Sequence, residues 1–289
     1  MNLVCRHLLL ILLFAAWPVF SQTLIVIPTE SQLTRDFIAG IADESPLAPF
    51  QVATLAEVDL DEPPTRIITL GLDALNWRLQ DASDIPTLAL YINRRQLPDE
   101  RPDWLQIMLS SPEPRRQMRL AKAMVPRLQS IGMLYTDNSA NQLPLWHTAA
   151  AVTDLQLVSR QWSTDSPITR PLSSLLGDSD ALIALDDPTI WNADQLKTIL
   201  LTSYARNRVI IGPAAPFVDA GSLGTTYSTP MDMALSSRYR FSQPWQPGAV
   251  FYPTEFSLRT NAQVARSLSL PQPDNAALLE RLKAEELAP

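Results

Sequence analysis

Six short, almost unbroken apolar runs, set along the chain with helical patterns between them, constrain this sequence more than any other feature. They are Leu24-Ile-Val-Ile27, Arg66-Ile-Ile-Thr-Leu70, Thr87-Leu-Ala-Leu-Tyr91, Ile131-Gly-Met-Leu-Tyr135, Ala181-Leu-Ile-Ala-Leu185 and Arg208-Val-Ile-Ile211. A strand with one wet face alternates apolar and polar residues, whereas a run without alternation is covered on both faces. Such runs alternating with helices give an α/β protein with parallel, doubly wound sheets. The pattern restarts at Ile131, after the helical stretch Glu113–Met124 and Pro126, which divides the chain into two lobes at about residue 126.

Residues 1–21 carry Arg6, the apolar run Leu8–Ala16 and the small-residue pattern Val19-Phe20-Ser21. This reads as a secretory signal peptide, the run being short for a permanent membrane span. Its removal takes away Cys5, the only cysteine, and His7, so His147 is left alone. A disulfide framework, a thiol nucleophile and a cysteine or histidine metal site are thereby disfavoured. The net charge of -7 becomes one unit more negative with the loss of Arg6, which argues against nucleic acid and anionic membranes as partners.

The strands end at Thr29, Gly71, Asn93, Asp137, Asp186 and Gly212, and ligands of open α/β sheets sit beyond such ends. Thr29, Glu30 and Ser31 open a helix whose N–H groups suit a carboxylate or other anion, Glu30 opposing an anion and favouring a cation instead, although Thr29-x-x-Gln32 and Ser110-x-x-Glu113 both also read as capping boxes. Gly71 allows close approach, while Asp73 either contacts ligand or caps the next helix. Asp137, Asn138, Ser139 and Asn141 form a polar loop that is equally ordinary turn chemistry. Tyr91, Tyr135 and Trp191 offer ring surfaces or core packing, and Arg115-Arg116 reads as a solvated helix face.

Gly212, Gly221 and Gly224 crowd together in a chain with only eight glycines. With Ser222, Gly221 either borders a cleft or forms a tight turn. Asp187 precedes Pro188, which suits a helix cap as well as a ligand cation. No nucleophile elbow, phosphate-binding loop or dinucleotide fingerprint is present, so no enzyme and no cofactor is expected.

The ordered series Arg127–Thr136, Asp180–Pro188, Val209–Pro213, Phe217–Gly224 and Asn261–Leu268 resembles the ABC-transporter substrate-binding proteins related to tryptophan and tyrosine transporters. The likeness spans about residues 113–282 and is looser before that. It implies a type I periplasmic binding protein: two lobes joined by a multi-strand hinge, closing on a small polar ligand such as an amino acid. In that picture 22–125 and about 229–247 make the first lobe, and 126–228 with about 248–289 the second. The partner is a permease or a membrane sensor, and the protein is a periplasmic monomer. Where many relatives carry a polar pair after the strand ending at Gly212, this chain has Pro213-Ala-Ala-Pro216.

Overall fold

The computed structural model describes residues 23–42, 47 and 49–287. The expected signal peptide lies outside them. The first half runs β1 (Thr23–Ile27), α1 (Gln32–Ala42), β2 (Phe50–Thr54), β3 (Arg66–Leu70), α2 (Gly71–Gln80), β4 (Thr87–Ile92) and β5 (Leu105–Leu109). The second runs α3 (Pro114–Met124), β6 (Ser130–Tyr135), α4 (Leu143–Val152), β7 (Gln156–Gln161), α5 (Thr169–Gly177), β8 (Ala181–Ile183), α6 (Ala193–Tyr204), β9 (Val209–Ile211), α7 (Ala215–Ala220) and β10 (Gly224–Tyr227). The chain then returns as α8 (Pro230–Phe241) and β11 (Val250–Phe251), and ends in β12 (Ser257–Thr260), α9 (Ala262–Ser267) and α10 (Asn275–Leu287).

Two six-stranded sheets result, in the orders β11-β5-β4-β3-β1-β2 and β12-β10-β9-β8-β6-β7. The first is parallel throughout, and in the second only β12 runs antiparallel, against β10. The two-lobed parallel α/β class expected from the apolar runs is what the chain forms. Alternate residues of β1 explain why its run is unbroken. Ile25 and Ile27 pack under α1 and α8 with Phe37, Ile41 and Met233, while Leu24 and Val26 pack with Ala74 of α2. In the second lobe Ile131 and Ile183 face α3 and α4, and Leu134 and Leu182 face α5 and α6. Each such side chain, once buried, contributes roughly 1.5–3 kcal/mol.

The chain passes between lobes three times, at 110–113, 228–229 and 252–256. The first and third of these differ from the sequence-based divisions at 125/126 and 247/248. Met118, Ala121 and Met124 of α3 pack into the core of the second sheet, and Val250 pairs with Ile107 of the first. The expected cap at Ser110 is also displaced: α3 starts at Pro114, and Glu113 accepts from the Arg116 N–H at 2.7 Å.

Side chains tie the crossings together. Asp232 accepts from Thr229 N at 2.9 Å and from the Ser257 hydroxyl at 2.8 Å, and Ser236 accepts from Glu255 N at 2.9 Å. Buried Gln117 of α3 donates to the Gly212 carbonyl at 2.9 Å and accepts from Thr226 N at 2.9 Å. Arg116, read from sequence as solvated, is 7 % exposed, pairs with Glu286 of α10 and stacks on Phe256, because α10 covers that face of α3. Arg115 is exposed, as expected.

Candidate ligand-binding cleft

The carboxyl ends of the two sheets border a cavity of about 280 Å³. Asn93 and Ser110 line it from the first lobe, and Asp186, Trp191, Pro213 and Phe217 from the second. It shares Ser111, Pro112, Asp186 and Pro213 with a deeper hollow of about 10 Å³, enough for one water-sized group, where Arg94, Gln142 and Tyr252 meet.

A β-bulge sets up the first-lobe wall. The pairing of β4 with β5 slips between Leu90 and Ile92, and Tyr91 sits at φ 60°. Bulges re-aim the residues that follow them. Asn93 then starts a short turn over Arg94–Gln96, its N–H donating to the Gln96 side chain at 2.9 Å. Its Oδ1 lies 3.0 Å from the Ser110 hydroxyl and 3.2 Å from the Ser111 hydroxyl. Ser111 also lies 3.0 Å from Asp186 Oδ2, which links the first crossing to the second lobe. Arg94 donates through Nε to the Tyr252 hydroxyl at 3.1 Å. Burial pushes the Tyr252 phenol up against the opposing pull of Arg94.

On the second-lobe wall Trp191 and Phe217 meet edge to face, with centroids 6.3 Å apart. The Trp191 indole N–H and the Gln142 amide nitrogen are buried without an acceptor. Asp186 Oδ1 has no bond to any described residue, so one carboxylate oxygen of the cavity lining is unpartnered. The cleft hydroxyls engage an amide and a carboxylate, and His147, the only histidine among the described residues, is exposed on α4.

Asp187 lines the same cavity but is turned into the protein, 2 % exposed. Its Oδ2 accepts from Thr136 Oγ1 at 2.7 Å and Ser139 Oγ at 2.6 Å, and its Oδ1 from Thr189 N at 2.9 Å. Burial alone would raise this carboxyl, but the Ser139 and Thr136 hydroxyls and the Thr189 N–H together hold it below the usual carboxylate range. No regular helix begins at Pro188: α6 starts at Ala193, with Asn192 as its cap.

The other residues singled out in the sequence lie elsewhere. Thr29 is exposed, and the cap of α1 is the reciprocal pair Ser31 and Thr34 rather than Thr29 and Gln32. Gly71 is the first residue of α2, at φ 82°, and Asp73 is exposed in its first turn without capping it. Tyr91 packs edge to face on Phe37 within the first-lobe core. Burial first, then Asp232 and Asp36, push its phenol up, and its hydroxyl has no partner. Asp137, Asn138 and Asn141 are exposed, Asp137 accepting from Gln161 at 2.6 Å.

Gly221 ends α7 at φ 134°, where an added Cβ would lie 3.0 Å from the Tyr204 hydroxyl. Ser222 is buried beneath Gly212, where a Cβ would lie 3.0 Å from its Oγ. The glycine cluster thus serves a helix end and close packing inside the second lobe. Ser111, Arg94, Gln142 and Phe217 escaped the sequence reading as cleft residues. Their one available signal was position: Arg94 and Ser111 follow a strand end by two residues, and Phe217 and Gln142 by six and seven.

Solved structures share this architecture. A ligand-free, open substrate-binding protein with adhesive properties from Clostridium difficile is 14% identical, with 88% of this chain and 97% of that chain covered and a TM-score of 0.66. An ABC domain in complex with L-Trp from Streptococcus pneumoniae is 16% identical over 90% of this chain and 97% of that chain, at 0.54. A conserved domain protein from Vibrio cholerae is 17% identical over 90% and 98%, at 0.52. No protein-family model and no curated protein sequence matches the chain. At these identities the likeness is one of fold: this chain has the two-lobed α/β fold of the type I periplasmic binding proteins.

Proposed function

We propose that this protein is an extracytoplasmic solute-binding protein that takes a small, ring-bearing polar molecule of amino-acid size between its lobes. The observation that carries this reading is the 280 Å³ cavity between the sheets' carboxyl ends, with one open carboxylate oxygen on Asp186 facing ring and proline surfaces. A ligand ammonium suits Asp186, since a charge-assisted bond is about twice as strong as a neutral one. A ligand acceptor suits the unpartnered indole N–H of Trp191, and a bridging water in the adjoining hollow suits Gln142 and Arg94. The description of the streptococcal neighbour as a complex with L-Trp supports the size class. In this reading an ABC-type permease receives the closed form. The apolar Pro213–Pro216 segment favours a second output, occupancy presented to a membrane sensor, because it supplies fewer polar ligand contacts than a nutrient carrier uses.

A thermal-shift screen against amino acids, amines, organic acids and nucleosides tests the reading. A ligand at about 100 times its Kd stabilises the native state by about 2.7 kcal/mol, worth a few degrees in Tm. A hit that Asp186→Ala weakens at least tenfold is expected. A panel flat throughout at millimolar concentration would remove the basis for the proposal.

A further inference from the structure

Ser111 has one hydroxyl hydrogen and two acceptors competing for it. Asp186 Oδ2 of the second lobe is 3.0 Å from Ser111 Oγ, and Asn93 Oδ1 of the first lobe is 3.2 Å away. A hydroxyl donates once, while both partners present acceptor oxygens here. The Ser111 oxygen also accepts from the Arg94 N–H at 3.3 Å, so one of its lone pairs is engaged as well. Ser111 is 9 % exposed and sits in the first crossing, between the two bodies that its acceptors belong to.

We propose that Ser111 is a positioning residue that sets the lobe equilibrium by exchanging this single hydrogen bond between lobes. With the lobes together, Ser111 donates to the Asp186 carboxylate and holds Oδ2, leaving Oδ1 toward the cavity. As the lobes part, Asp186 leaves with the second sheet and the same hydrogen turns to Asn93, so opening replaces a bond instead of losing one. Asn93 can take it because Oδ1 has two lone pairs, of which Ser110 occupies one at 3.0 Å. The exchange is uneven. The bond to a carboxylate is the stronger, so Ser111 biases the ligand-free protein toward the compact state by about fivefold. The inference rests on the reading that the cleft opens and closes.

The test uses the full chain with its only cysteine, Cys5, changed to serine and label sites introduced by Glu30→Cys and Asn138→Cys, exposed positions on opposite lobes. Single-molecule energy transfer is read without ligand. Ser111→Ala is expected to lower the compact-to-open ratio by about fivefold and Ser111→Thr, which keeps a hydroxyl, to restore it. Asp186→Asn is expected to lower the ratio too, and Ser111→Ala added to it to change little further, since both remove one interaction. Two populations whose ratio ignores Ser111→Ala, or additive effects of the two changes, overturn the proposal while leaving a hinged cleft intact. A single lobe separation unmoved by Asp186→Asn as well overturns both.

Discussion

Adjacent aspartates at the end of β8 divide two tasks, and their environments say which is which. Asp187 is spent on holding the loop at Thr136–Ser139 and the turn at Thr189, whereas Asp186 lines the cavity with one carboxylate oxygen unbonded among the described residues. Asp187→Ala leaves two buried hydroxyls and one N–H without their acceptor and is expected to cost about 2–3 kcal/mol at pH 7. Because the folded carboxyl lies below its ordinary value, its contribution is complete above about pH 4 and is lost as pH falls through the lower folded value. The gap between wild type and variant in urea unfolding should therefore narrow at pH 3. Tyr91→Phe carries the opposite expectation. It removes a buried hydroxyl that bonds nothing, so stability should hold or rise by up to about 1 kcal/mol in the same assay. The sequence marked Asp187 and Tyr91 by strand-end position, but position alone leaves open whether a side chain turns inward or toward the cleft. That depends on partners such as Thr136 and Phe37, distant in the chain.

Most elements buried on both sides were legible, because β1, β3, β4 and β6 must be continuous apolar runs to lie between helix layers, but β5, equally buried, was missed because Gln106 interrupts its run. Edge strands were not legible. β7 is half exposed along its length, and β11 has two residues, so neither leaves a strong periodic mark. The start of α3 was misplaced because Ser110-x-x-Glu113 satisfies a capping pattern locally, while tertiary partners claim Ser110 and Ser111 for the cleft. Gln117, one turn into that helix, pins α3 to the ends of β9 and β10 with bonds from both ends of its amide. Gln117→Leu should cost about 3 kcal/mol, stranding a buried carbonyl and N–H, and the loss should appear as a shift in the urea midpoint without a change in slope.

At the scale of the molecule, the first lobe is built from two distant parts of the chain. α8 covers the face of the first sheet formed by Ile25, Ile27 and Ile68, and Gly40 allows its close contact with α1, where a Cβ would lie 2.8 Å from that of Ala234. A fragment of residues 23–125 should therefore lack a cooperative thermal transition by calorimetry and bind a hydrophobic dye. A sharp two-state transition in that fragment would contradict the account. The pairing of Val250 with Ile107 also has a meaning in time. Ribosomes add about 5–20 residues per second, so on the order of ten seconds separate the emergence of β5 from that of β11. For that interval the amino-terminal half is an unfinished sheet whose apolar face waits for α8 and whose edge waits for β11.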